Sequence, residues 1–256
     1  MSSGTGLAQG AAMNTLAAVV VVLAVTEIFL LTRGAHEAAR LAELPEAERR
    51  AVTVRVPLVL AGWLAVVLAL AAAGVLARFD AKPPPMMLVL AGSMGLFAFG
   101  TSRPVVGAML RAAPLTFPVL VQAMRVPIEL FLHGLYREGR FPVHLTFEGR
   151  NLDILVGLTA PVVAYLVHTG RLGARGLAAW NVMGLGLLAN IVGMALTTMP
   201  GPLHLDWPGV SNTVVAEAPF VLLPALLVPV ALFGHVLSLR QCVGAWRAGS
   251  TRAVMP

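Results

Sequence analysis

Long apolar runs separated by short charged segments dominate the hydrophobic pattern of the chain. A bilayer-spanning helix needs about 20 mostly apolar residues, and runs near that length recur from one end of the sequence to the other. We interpret them as membrane spans at residues 13–32, 55–77, 85–101, 115–136, 152–169, 176–198 and 214–238. The pattern therefore predicts an all-α fold, a transmembrane bundle of seven helices that forms a single integral membrane domain over residues 1–256.

The composition supports this interpretation. The chain has 256 residues, of which 58% are hydrophobic and 12% charged, whereas ordinary globular domains have roughly 25% charged residues. A soluble enzyme, a disordered chain and a nucleic-acid-binding protein are all disfavoured, so membrane lipid is the expected partner and nucleic acid is not. The single cysteine, Cys242, excludes an intrachain disulfide and a thiol-rich metal site.

The distribution of basic residues predicts the orientation of the bundle. With the N-terminus outside, twelve of the 18 Lys and Arg residues fall on the cytoplasmic side, five outside and one, Arg125, within a span. Cytoplasmic loops of membrane proteins carry such an excess. The first apolar run has no basic segment before it, so we interpret it as a retained helix and not as a signal peptide. We expect the N-terminus outside and the C-terminus in the cytoplasm.

The longest cytoplasmic connection, residues 34–53, has a mixed-charge run that contains Pro45. We expect a solvated loop with a short surface helix here, and contact with anionic lipid is the alternative. Lys82 is the only lysine, a usage typical of GC-rich bacterial genomes. The expected location is therefore the inner (plasma) membrane of a bacterial cell.

The fourth span carries a polar stripe. Because a helix advances about 100° per residue, Gln122, Arg125, Glu129, His133 and Tyr136 fall within one quarter of its surface. An ionisable side chain near the bilayer centre costs about 2.5 to 3.5 kcal/mol on insertion scales, so each needs a partner or a purpose. Arg125 and Glu129 are four residues apart and could pair directly. The stripe could line a cavity that opens to the outside.

Further polar residues lie on the expected outer side. Glu148 and Asp153 would complete a vestibule above His133, although Asp153 could instead cap the fifth helix. Glu217 begins the last span, where the helix dipole favours a carboxylate. Asn190, on the sixth span, could satisfy the buried charges of the stripe, and Asn181 on the same span could do so as well.

The segment 144–157, His-Leu-Thr-Phe-Glu-Gly-Arg-Asn-Leu-Asp-Ile-Leu-Val-Gly, is the most distinctive part of the chain. Together with the stripe from Arg125 to His133, it resembles a segment of uncharacterised bacterial multi-pass membrane proteins. That resemblance covers about a fifth of the chain and implies no known activity or cofactor.

Three functional hypotheses remain open. The stripe, with Glu148, Asp153, Asn190 and Glu217, could bind or pass a small polar solute, an ion or protons, a role that is not enzymatic. Arg125 would hold an anionic group or act as the counter-ion of Glu129, and Glu129 and His133 would exchange protons. The other two hypotheses are a membrane-embedded metal-dependent enzyme and a structural or accessory subunit.

The metal hypothesis has its own candidate ligands, namely Glu129, His133, His144 and Glu148. Their spacing does not match the His-Glu-x-x-His pattern of zinc proteases. A second buried polar pair, between Glu27 in the first span and His235 in the seventh, would form if those two helices touch. Glu27 could instead extend towards Arg33.

Overall fold

Helices account for every regular element that the structure, a computed structural model, describes over residues 2–252, with side chains described over residues 9–247. The nine α-helices are α1 (Ser2–Leu41), α2 (Glu46–Ala72), α3 (Pro85–Ser102), α4 (Pro104–Ala112), α5 (Thr116–Val121), α6 (Arg125–Arg137), α7 (Ile154–His168), α8 (Ala174–Thr198) and α9 (Val228–Arg252). Short 3₁₀ turns lie at Val75–Ala77, Gln122–Met124, Val143–Leu145 and Val214–Ala216, and a π-helical turn at Leu223–Leu227.

Several of these helices are long and apolar enough to span a membrane, and the predicted all-helical fold is confirmed over the described residues. Five are long and apolar enough among the described residues: Gln9–Leu41, Glu46–Ala72, Pro85–Ser102, Ala174–Thr198 and Leu223–Arg247. The helices Pro104–Ala112 and Thr116–Arg137 meet at a bend of 97°. They would make a sixth span if the two helices together form one broken span. The helix α7 is apolar but shorter.

Residues 34–53 do not form the expected solvated loop. The helix α1 continues to Leu41 and α2 begins at Glu46, so only a tight turn joins them, with Glu43 at a φ of 51°. Pro45 immediately precedes α2, a position compatible with its missing N–H. Burial explains the extension of α1, because Ala38 and Ala39 pack against Met109 of α4.

Prolines explain two further departures from regular α-helix. The expected span 214–238 starts as a 3₁₀ turn, becomes extended at Glu217 and turns helical only towards the π-helical turn. Pro219 and Pro224 each lack the N–H that a regular helix uses at that position. Similarly, Pro127 leaves the Ala123 carbonyl without its usual donor, and the helix tightens to a 3₁₀ turn at Gln122–Met124.

The core forms where α6 packs on α1 and on the π-helical turn. Phe131 and Leu135 of α6, Val20 of α1 and Leu226 of the turn are among its most buried members. A second cluster joins α5, α7 and α8. These contacts place the start of α6, with Arg125, between three neighbouring elements.

The helix α7 approaches α6 closely at Gly157. A Cβ at this position would lie 2.8 Å from the backbone nitrogen of Val126 and 3.1 Å from the Cβ of Arg125. Neither atom is at the flexible end of a side chain, so any larger residue would force the two helices apart. The glycine therefore determines how near the start of α7 lies to Arg125.

Replacing Gly157 by alanine should destabilise the protein by about 1 to 3 kcal/mol, the usual cost of overpacking. The matched control is Gly186→Ala in α8, where an added Cβ would meet nothing within 4 Å. The thermal unfolding midpoint in detergent should fall for Gly157→Ala and remain at or slightly above the wild-type value for Gly186→Ala. Equal midpoints for the two variants would contradict the close approach.

Candidate functional site

Arg125 is buried at the start of α6 and forms an ion pair with a carboxylate from another element. Its Nη1 contacts Oδ2 of Asp153, and the two residues are only 6% and 2% exposed. Its Nε donates to Oε1 of Gln122 at 3.3 Å, and Nε2 of Gln122 donates to the Ala231 carbonyl of α9 at 3.0 Å. The guanidinium is thus held between α6, α9 and the residues that open α7.

Glu129 has a different partner from the one expected. Within residues 9–247, no direct ion pair joins it to Arg125, although the positive charge of Arg125 acts on it electrostatically. Its Oε1 accepts a hydrogen bond from Nδ2 of Asn151 at 2.6 Å. Asn151 also donates to the Leu145 carbonyl at 3.0 Å and accepts at its Oδ1 from the Asp153 backbone N–H at 3.0 Å. Asn151 therefore fixes both Glu129 and the backbone that carries Asp153.

The segment that provides Asn151 and Asp153 folds against the helices. The Thr146 carbonyl accepts hydrogen bonds from the backbone N–H groups of Gly149, at 2.9 Å, and Asn151, at 3.2 Å. Leu145, Thr146 and Asn151 are fully buried. Residues 143–153, here called the outer loop, thus cover one side of the Arg125 cluster and do not form an open vestibule.

A third carboxylate approaches Arg125 from α1. Glu27 is 2% exposed, and its charge and that of Arg125 interact electrostatically. His235 belongs to another network, in which its Nδ1 lies 2.8 Å from Asn181 Oδ1, and among the described residues no hydrogen bond or ion pair joins it to Glu27. Nδ2 of Asn181 donates to Ser238 at 2.9 Å, so Asn181 does not serve Arg125. We call Arg125, Glu129, Asp153 and Glu27 the ionic cluster.

Three members of the ionic cluster line a cavity. The cavity has a volume of about 100 Å³ and lies between α3, α6, α8, the π-helical turn and α9. Its walls are mostly apolar, and its polar lining residues are Arg125, Glu129, Asp153 and Asn212. Of the predicted stripe, Arg125 and Glu129 thus face a cavity whose far wall is α8.

Each polar residue that lines the cavity has a buried atom without a partner. Among the described residues, no hydrogen bond reaches Nη2 of Arg125, Oε2 of Glu129, Oδ1 of Asp153 or Oδ1 of Asn212. Buried polar atoms are almost always satisfied, because leaving one unpaired costs about 1 to 3 kcal/mol. The residues that line the cavity therefore have unmet hydrogen-bonding capacity.

The outer half of the predicted stripe is separate from the ionic cluster. His133 Nε2 lies 3.6 Å from Oε1 of Glu148, and the imidazole ring packs 4.8 Å from Phe147 and 5.8 Å from Tyr136. The side chain of Glu148 is 45% exposed to solvent. These residues form a rim at the C-terminal half of α6, beside the exposed surface of residues 143–153.

Two further predicted residues lie outside the ionic cluster. Glu217 forms a salt bridge with Arg140, whose Nη2 is 2.7 Å and 2.9 Å from its two carboxylate oxygens. Asn190 donates to the Arg150 carbonyl at 3.1 Å. Asn190 therefore holds the outer loop against α8, and Glu217 holds the segment that precedes this loop.

The four candidate metal ligands are not brought together. Among the described residues, no group of three or more His, Cys, Asp or Glu side chains could hold a metal ion. Of these candidates, His133 meets Glu148 at the rim, Glu129 lies in the ionic cluster, and His144 stacks on Trp207 with ring centroids 4.6 Å apart. The guanidinium of Arg150 also lies over the Trp207 ring, with its Cζ 5.5 Å from the ring centroid.

Residues missed from sequence have identifiable roles. Asn151 holds Glu129, Glu27 approaches Arg125 electrostatically, and Asn212 lines the cavity. None of these three roles is predicted by the sequence pattern. The one available signal was the concentration of polar residues in Glu-Gly-Arg-Asn-Leu-Asp at 148–153 directly before an apolar helix.

Comparison with known proteins identifies the family. A family model described as a domain of unknown function (DUF8737) matches residues 83–243, so the chain belongs to this family. No curated protein and no solved structure matches the chain. The matched segment contains every residue that lines the cavity, whereas Glu27 lies before it.

The outer loop should loosen as the pH falls, because of His144. Burial, and secondarily the positive charge of Arg150, lower the pKa of His144 from its ordinary value of about 6.5. The folded loop thus favours the neutral imidazole, while an opened loop binds the proton more readily. Loop stability should be complete above about pH 6.5 and decline below it, by up to about 1.4 kcal/mol per pH unit.

Hydrogen–deuterium exchange of the peptide that covers residues 143–151 would measure this effect between pH 7.5 and 5.5, after correction for intrinsic exchange. Exchange should rise at the lower pH in the wild type and stay constant in His144→Gln. The control variant His133→Gln removes the neighbouring histidine and should retain the rise. Protection that increases on acidification would show the opposite sign and contradict the assignment.

Proposed function

We propose that this DUF8737 protein is a seven-span protein of the bacterial plasma membrane whose cavity binds or passes a small solute, an ion or protons. In this topology the N-terminus is outside and the C-terminus in the cytoplasm. The limb Thr116–Arg137 and the short helix α7 then cross the membrane in addition to the five long helices. The excess of basic residues at the proposed cytoplasmic side supports the orientation.

One observation carries the functional proposal: Arg125, Glu129 and Asp153 line the same cavity, and each has a buried polar atom without a partner among the described residues. A site of this kind, apolar over most of its surface with a few convergent polar groups, is the usual form of a small-ligand site. Intramembrane ionisable residues mark solute and proton pathways in many membrane proteins.

The residues of the cluster have distinct proposed roles. Arg125 is held in place by Gln122 and Asp153 and sets the local charge. Glu129 is the proton-exchanging group, since one of its oxygens is fixed by Asn151 and the other has no partner among the described residues. The rim of His133, Tyr136 and Glu148 lies farther outward on the same side of α6 and would connect the site to the outside.

A structural role is the competing proposal, and one contact favours it. The ion pair between Arg125 and Asp153 ties α6 to the start of α7 without any ligand. In that case the cavity would be a sealed packing defect. The two proposals differ in whether a small reagent reaches Glu129.

The topology predicts three labelling results in a Cys242→Ser background, tested with a membrane-impermeant maleimide on intact cells. Cysteine placed at Lys82 should react from outside, whereas cysteine at Glu46 should react only after permeabilisation. Arg171, beyond the C-terminal end of α7, should behave like Glu46 because α7 crosses the membrane. Reaction of the Arg171 position in intact cells would remove α7 from the list of spans.

Access to the cavity predicts selective modification of one buried carboxyl. Diisopropylcarbodiimide, a small membrane-permeant reagent for protonated carboxyl groups, should modify Glu129, which lines the cavity. Glu27 is equally buried but does not line it, so it serves as an internal control and should stay unmodified. Peptide mass spectrometry after reaction in membranes would measure both sites.

A cavity-filling variant strengthens this test. Val192 lines the cavity from α8 and is only partly buried, so Val192→Trp should block modification of Glu129 while the protein remains folded by thermal unfolding. If Glu129 of the wild-type protein is not modified, the cluster is sealed and the structural role is the correct one.

A further inference from the structure

The polar end of the cavity has more acidic than basic side chains. Arg125 contributes one positive charge, while Glu129 and Asp153 contribute a carboxylate each. Glu27, which interacts electrostatically with Arg125 from α1, adds a third carboxylate just outside the lining. One guanidinium can offset only one carboxylate, and a buried charge without an opposite charge is strongly disfavoured. The other two acidic groups must therefore be neutralised, either by a proton or by a bound cation.

The unpartnered atoms show the same imbalance in hydrogen bonding. The carboxylate oxygens Glu129 Oε2 and Asp153 Oδ1 are acceptors, and the only unpartnered donor among the residues lining the cavity, within the described part of the chain, is Nη2 of Arg125. An occupant that complements this set carries more donors than acceptors. A protonated amine has up to three N–H donors and a positive charge, and no acceptor.

The apolar walls and the volume of the cavity determine the nonpolar part of the ligand. Apart from the polar residues already named, the cavity is lined by apolar side chains of α3, α6, α8 and α9, including Leu90, Ile128 and Leu188. Cavities of about 150 Å³ hold a molecule of the size of benzene. A volume of about 100 Å³ accordingly suits a short aliphatic group attached to one polar head.

We infer that the cavity binds a small primary alkylamine in its protonated form, with the ammonium group at the carboxylates of Glu129 and Asp153 and the alkyl group against the apolar walls. This inference rests on the proposed function, because it requires the cavity to admit a ligand. A carboxylate ligand would contact Nη2 of Arg125 but would be repelled by both carboxylates.

Three probes of matched size test the inference: n-butylammonium, n-butanol and n-butyrate. Binding is measured by isothermal titration calorimetry with the full chain in phosphatidylcholine nanodiscs, and empty nanodiscs supply the lipid baseline. We expect n-butylammonium to bind at least tenfold more tightly than either of the other probes.

Two variants assign the binding to this site. Glu129→Gln retains an oxygen that accepts from Asn151, so the loop contact survives while the charge is lost. It should weaken binding of n-butylammonium at least tenfold and leave n-butanol unaffected. The control Glu138→Gln, at the C-terminal end of α6 and outside the cavity lining, should bind all probes like the wild type. Val192→Trp should remove binding altogether, and both cavity variants are checked by thermal unfolding.

Each other outcome has a definite meaning. Equal affinity for n-butylammonium and n-butanol, or tightest binding of n-butyrate, overturns the amine inference but leaves a ligand-binding cavity. Absence of binding by all three probes, with Glu129 still modified by carbodiimide, also overturns the amine inference and leaves the accessible site, with protons as the ion that neutralises it. Absence of both binding and modification overturns the proposed function as well.

Discussion

The positive charge of Arg125, buried among apolar helices, is the constraint on which the surrounding structure depends. A guanidinium in this setting needs an opposite charge and partners for its N–H groups, because water does not supply them. Asp153 provides the charge, and Gln122 accepts from Nε while donating to α9. To bring Asp153 to this place, the outer loop must fold inward, and Asn151 and Thr146 hold it there.

Close backbone packing makes that ion pair geometrically accessible. The short side chain of Asp153 reaches Arg125 only because α7 begins directly beside the 3₁₀ turn that precedes α6. Gly157 permits this approach, and Pro127 causes the local tightening of the helix before Arg125. Packing and electrostatics therefore act together, since a wider separation of α6 and α7 would leave two buried charges unpaired.

The sequence predicts the features that follow from helical periodicity and from hydrophobicity. Apolar runs locate the membrane helices, and the 100° advance per residue places Gln122, Arg125 and Glu129 on one face. Contacts between different elements have no such period. The pairing of Arg125 with Asp153 instead of Glu129, and the approach of Glu27 from α1, depend on how helices pack. The mixed-charge run near Pro45 forms helices because burial against α4 outweighs its polar composition.

The number of acidic groups distinguishes a functional cluster from a structural one. One carboxylate, that of Asp153, suffices to pair Arg125 and to tie the outer loop to α6. Glu129 and Glu27 are then surplus, and each has a buried oxygen without a partner among the described residues. Glu129 also accepts from Asn151, but neither acidic group has an opposite charge of its own once Asp153 is paired with Arg125. Their remaining need for a proton or a cation supports the proposed ligand site.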